Sequence, residues 1–200
     1  MAIKTANNQS MTAITSLPSG VSVGSLVLLA TETASSSATI DFTSNIDSTY
    51  KEYIFKCYNI HPATDDAAFS VNFRDGGSSY DATKTTTVFR AYQNESGSST
   101  SLGYVTADDL AQSTGVQIIG KGQGNDNDQT CVAQIHLFDP SNTTFVKNFI
   151  VTSNTTESGD YFNNYYIAGY CNTTSAIDGA QFKMSSGNID AGTIKMYGVV

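Results

Sequence analysis

The sequence predicts an all-β protein, an antiparallel jelly-roll-like β-sandwich with an extended N-terminal arm, on three observations. Apolar side chains recur at every second position in a series of short segments, the period of a half-buried strand. Those segments are separated by Gly, Asn, Asp and Ser clusters that favour turns, and no long amphipathic helix interrupts them. About nine or ten strands of this kind are expected, the number a sandwich uses.

In chain order, residues 1–20 come first as a small, polar arm with only Ile3, Met11, Ile14 and Leu17 to bury. That is too little apolar surface for a core of its own. It reads either as a tail or single helical turn lying on its own domain, or as an arm that orders on a neighbouring subunit. The sandwich is assigned to residues 21–200. Val21 to Leu29 reads as a first strand, apolar on both faces, and Ser37 to Thr43 as a second. Tyr50 to Tyr80 is the organising stretch. Tyr53, Phe55 and Cys57 alternate there with Ile54, Lys56 and Tyr58, and after the turn at His61-Pro62 the residues Phe69, Val71 and Phe73 alternate with Ser70, Asn72 and Arg74. This pair is expected to form a hairpin whose second strand has one wet face.

Thr83 to Tyr92 follows as a Thr-rich strand and Asn94 to Ser101 as a polar loop. Thr106 to Gln112 offers a single helical turn with carboxylates near its start. Val116 and Ile118 open a strand, Gly120 to Asp128 is expected to be a mobile loop, and Cys131 to Leu137 alternates again up to the turn at Asp139-Pro140. Phe145 to Thr152 looks buried on both faces. Tyr165 to Cys171, Ala180 to Met184 and Thr193 to Val199 complete the set, placing the C-terminus in a sheet.

Composition narrows the function. Only 14% of the residues are charged, against roughly a quarter in an average soluble domain. The net charge is −8 with ten Lys and Arg, so the concentrated cationic face that nucleic acid requires is not expected. The apolar run Val21 to Ala30 is ten residues long, whereas a membrane helix needs about 20. Membrane insertion is therefore not expected, nor is a secretory signal, since the cationic start such a signal needs would be Lys4, far upstream with Pro18 and Gly20 intervening. Cys57, Cys131 and Cys171 form an odd, widely spaced set that suits buried small hydrophobes better than a zinc site, with one disulfide as the alternative.

No catalytic constellation stands out. His61 sits before Pro62 in a turn, His136 faces away from the apolar side of its strand, and no nucleophile-turn motif occurs. Asp65-Asp66 and Asp108-Asp109 read as solvated turns, and Asn125 to Asp128 lacks the spacing of a calcium loop. No catalytic residue, metal ligand or cofactor is assigned. The candidate binding residues are Tyr161, Tyr165, Tyr166 and Tyr170, where aromatic planes beside Asn163 and Asn164 suit sugar recognition. The competing reading, favoured by composition, is that these rings fill the core or an oligomer interface.

Ser36 to Asp66, the segment FRDGGSSYD from Phe73 to Asp81, and the ending Ala176 to Val199 resemble a group of virion proteins of tailed bacteriophages from marine and cyanobacterial hosts. The resemblance implies a non-enzymatic β-sandwich on the exterior of the particle, as a capsid decoration, head fibre or tail-fibre component. It further implies other virion proteins as partners and a symmetric homo-oligomer, with trimers favoured. Residues 1–20 would then be the anchor, and a host-surface glycan is the alternative partner.

Overall fold

A computed structural model describes residues 25–200, and these are all-β with no helix. Twelve strands form two antiparallel sheets packed face to face. In chain order they are β1 (Leu26–Thr33), β2 (Ile40–Phe42), β3 (Glu52–Pro62), β4 (Ala67–Arg74), β5 (Lys84–Asn94), β6 (Thr100–Tyr104), β7 (Gln117–Gln123), β8 (Cys131–Phe138), β9 (Lys147–Thr156), β10 (Tyr161–Cys171), β11 (Gly179–Met184) and β12 (Ile189–Val199).

The large sheet runs β1-β12-β3-β8-β9-β10-β5-β6 and the small one β2-β11-β4-β7. Set aside β5, β6, β9 and β10, and the chain steps back and forth between β1-β12-β3-β8 and β2-β11-β4-β7. That is the eight-strand, double Greek-key arrangement of a jelly roll. The remaining four strands are two hairpins inserted at separate points, β5–β6 after β4 and β9–β10 after β8. They meet through the β10–β5 ladder, which is regular over eleven residue pairs. The jelly roll thereby gains a four-stranded extension on one sheet.

One lateral row explains the core. Ala30, Met196, Phe55, Ile135, Val151, Ile167 and Val88 stand opposite one another across seven strands, and nearly all are buried. Phe69, Val71, Phe73 and Phe182 close over that row from the small sheet. Phe182 stacks on Phe69 at 5.8 Å between centroids, and Phe73 leans on Phe149 at 5.2 Å. Alternation in β3, β8, β11 and β12 matches the pattern read from sequence, and the C-terminal strand lies between β1 and β3.

Several expectations are corrected. β3 and β4 are not a hairpin: β3 pairs with β12 and β8, and β4 with β11 and β7. His61 and Pro62 belong to β3 and not to the turn, so the four residues 63–66 carry the chain from one sheet to the other, and alternation alone is the same for a hairpin and a sheet-to-sheet crossing. β4 has no wet face, because Ser70 and Asn72 are also buried. The Asn72 amide donates to the carbonyls of Tyr80 (2.6 Å) and Thr114 (3.1 Å), so chain folded over that side takes the place of solvent.

The predicted mobile loop from Gly120 begins inside β7. A Cβ at Gly120 would lie 2.5 Å from Thr155 Oγ1, so the glycine serves a close crossing of β7 over β9. The predicted helical turn at 106–112 is a non-helical turn whose Asp108 points inward. The loop Asn94 to Ser101 hides the start of a strand, β6, which the small-residue sequence TSLGY did not betray. Phe145 is exposed, β9 starts at Lys147, and one face of β9 is open to solvent. β1 starts at Leu26 and is half-exposed rather than apolar and buried on both faces. Ile3, Met11, Ile14, Leu17 and the boundary at residue 20 lie outside the described residues.

Candidate binding surface on the large sheet

The outer face of the large sheet carries a second lateral row, one residue out of phase with the core row. Thr31, Lys195, Lys56, Gln134, Thr152, Tyr166, Phe89 and Tyr104 stand side by side across all eight strands. Most of the large apolar side chains that remain exposed among the described residues lie on this face, including Leu28, Leu102, Phe89, Ile150, Phe162 and Tyr166. Single exposed apolar side chains are ordinary, but a contiguous set is not.

The extension is where this set is densest. Phe89 and Tyr166 are directly opposed on β5 and β10, with rings stacked at 5.1 Å and 14°. Leu102 is 72% exposed and Phe162 51%. The outward positions of β9, β10, β5 and β6 include no charged side chain. On the jelly-roll half, the cations Lys56 and Lys195 lie over the rings of Tyr197 and Tyr58, at 5.6 and 5.8 Å. Two shallow depressions mark the face. One, of about 610 Å³, is lined by Lys56, Tyr58, Val132, Gln134, Thr152 and Asn154. The other, of about 410 Å³, lies between Phe138, Ile150 and Tyr170.

The four nominated tyrosines divide between the two faces. Tyr166 and Tyr170 belong to the outer surface, whereas Tyr165 is fully buried and Tyr161 faces the same inner side. Strand alternation dictates this, since 161 and 165 share one parity and 166 and 170 the other. The inner pair meets Arg90 instead. Arg90 Nη1 donates to Tyr165 Oη (3.3 Å) and pairs with Glu157 Oε1 (3.3 Å), and its guanidinium lies 5.1 Å from the Tyr92 ring centroid. Tyr92 packs edge-on to Tyr161 at 5.5 Å. Burial pushes the Tyr165 hydroxyl up to about 12 against the opposing pull of Arg90, and burial likewise raises the Glu157 carboxyl. These groups fasten β5, β10 and the β9–β10 turn where the large sheet overhangs the small one.

No family model matches the chain, and no curated protein matches it in sequence. The surface is therefore judged on its own chemistry.

The remaining nominated groups are dispersed. His61 Nε2 meets the Asp126 carbonyl at 3.3 Å, while His136 pairs with Glu52 on the outer face. Asp108 is buried and bound by Lys121 Nζ at 2.9 Å, so it is not the solvated residue expected. Asp109 accepts a hydrogen bond from the Tyr104 hydroxyl at 2.6 Å. Cys57, Cys131 and Cys171 are free and buried, which answers the disulfide question. The platform was not legible in the sequence, because its members come from two hairpins, β5–β6 and β9–β10, that are far apart in the chain. The register alone brings them together.

Proposed function

We propose that the protein is a non-enzymatic structural subunit displayed on the outside of a tailed-phage particle, as a capsid decoration, head fibre or tail-fibre component. Residues 1–20 anchor it, and the outer face of the β9-β10-β5-β6 extension packs on neighbouring virion proteins. One observation carries this reading: an uncharged, aromatic-rich expanse spread over four strands has the character of an interface core, where charge is depleted and Tyr and Phe are enriched. The resemblance of the segments around Tyr50 and of the C-terminus to virion proteins supports it. Jelly rolls serve viral capsids and lectins alike, a fold-level analogy that agrees with both this reading and the next.

The test is incorporation into particles. Full-length protein should be recovered with purified virions, and removal of residues 1–20 or the pair Phe89→Ser/Tyr166→Ser should each lower recovery at least tenfold while the isolated domain still melts cooperatively. Equal recovery of all three proteins would reject the reading.

A second reading is favoured by the stacked Phe89–Tyr166 pair, which lies beside Asn164, Thr152 and Asn154: ring faces next to amides and hydroxyls suit a host-surface glycan. In that case Tyr166→Ala abolishes binding on a glycan array. Tyr165 makes no contact with the sugar from its buried position.

A further inference from the structure

The four sheet edges among the described residues are not equivalent. β1 carries Glu32 and a bulge between Leu28 and Ala30. β2 is three residues long and carries Asp41. β7 carries Lys121 and has two register shifts against β4. Charges, bulges and brevity are the usual protections against edge-to-edge pairing. β6 has none of them. Its sequence, TSLGY, holds no charge and no proline, its ladder with β5 is regular over five pairs, and every residue is exposed.

The hydrogen-bond parity of β6 is also settled. Val105 donates its N–H to the Val88 carbonyl and Asn94 donates to Ser99, so the alternation of an antiparallel ladder turns Ser101 and Gly103 toward β5. Thr100, Leu102 and Tyr104 therefore point their N–H and C=O groups away from the sheet, and their side chains all lie on its outer face. We infer that β6 pairs antiparallel with β6 of a second copy across a two-fold axis at Leu102, joining two eight-stranded sheets into one.

That register is self-complementary. Leu102 faces Leu102 of the second copy, and Thr100 faces Tyr104 in both directions, so all three edge-facing residues of each copy are satisfied by about six backbone hydrogen bonds. Two exposed leucines become a buried pair, and no like charges meet within the strand, which matters in a chain of net charge −8. The aromatic outer faces of the two extensions become continuous across the axis. The inference is independent of what covers those faces, and it calls for an even number of copies where the virion resemblance favours trimers.

Sedimentation of the full chain tests it, with two variants. Leu102→Pro removes an N–H that makes no bond within β5–β6, and Leu102→Lys places two ammonium groups at the axis. The expected result is a wild-type dimer and two monomeric variants, each with unchanged circular dichroism. Under oxidation Leu102→Cys should crosslink to a dimer, since opposed residues at such a position are about 5.5 Å apart between Cα atoms, within disulfide reach. A monomeric wild type, whether its edge is free or covered by residues 1–24, overturns the inference. So does a wild-type trimer, or an oligomer that both variants leave intact.

Discussion

Tyr165 and Tyr166 are adjacent in the chain and opposite in consequence. Tyr165 is fully buried, its hydroxyl held by Arg90, while Tyr166 is 43% exposed and stacked on Phe89. Tyr165→Ala should cost about 3–5 kcal/mol, the range for truncating a large core aromatic. Tyr166→Ala should cost about 1 kcal/mol, the worth of a surface aromatic pair. Urea denaturation of the two variants measures the difference, and equal losses would contradict the assignment of faces. Lys84 offers a test in pH. It is fully buried, donating to the Ala82 carbonyl (2.6 Å) and to Asn72, and burial lowers it from 10.5 to about 8. Below pH 8 both folded and unfolded states hold the proton and the full desolvation penalty stands. Between pH 8 and 10.5 the folded state releases it first, so stability rises relative to Lys84→Met, which lacks this slope. The buried thiols of Cys57 and Cys131 act in the opposite sense but equally in both proteins, so the urea midpoint difference across that window reports Lys84 together with its charge interaction with Cys171.

At the scale of elements, β10 is the strand on which the extension depends, because it bridges β9 and β5 along its whole length. Gly169 stands at a close approach of β10 to β5. A Cβ there would lie 2.8 Å from the Thr85 carbonyl oxygen and 2.5 Å from Thr86 Cγ2, and the backbone atom cannot step aside. Gly169→Ala should therefore destabilise by about 1–3 kcal/mol, as overpacking does. Gly103→Ala, with open space around it, should change stability by less than about 0.5 kcal/mol in the monomer. Thermal melts of the two variants supply the comparison. Strand alternation was legible wherever one face met the core, as in Cys131 to Leu137 and Ala180 to Met184. It failed for β6, which touches no second layer and so carries no apolar period; in β4 it marked the strand through Phe69, Val71 and Phe73 but not the burial of Ser70 and Asn72 by chain from elsewhere. Partner choice was not legible at all, since the hairpin expected for β3 and β4 and the crossing observed share one residue pattern.

For the whole molecule, the asymmetry of eight strands over four decides which surfaces are available. The small sheet covers the jelly-roll half and part of the extension, leaving Arg90, Tyr92 and Tyr161 at an overhang and the entire outer face of the large sheet uncovered among the described residues. The three thiols sit inside, so none should react with an aromatic disulfide reagent in the native protein and three should react after denaturation. Prompt reaction of any one in the native state would mean the sheets part more readily than this packing implies. The candidate site follows the same logic. Tyr166 and Tyr170 were found by residue type, but their neighbours Phe89, Ile150 and Leu102 join them only through the β9-β10-β5-β6 order.

The two inserted hairpins leave the framework more than 50 residues apart in the chain and depend on each other for a partner. Diverging copies of this protein should therefore show coupled substitution between residues 84–104 and 147–171, with Phe89 tracking Tyr166 and Arg90 tracking Tyr165 and Glu157. The eight framework strands can drift on a separate clock.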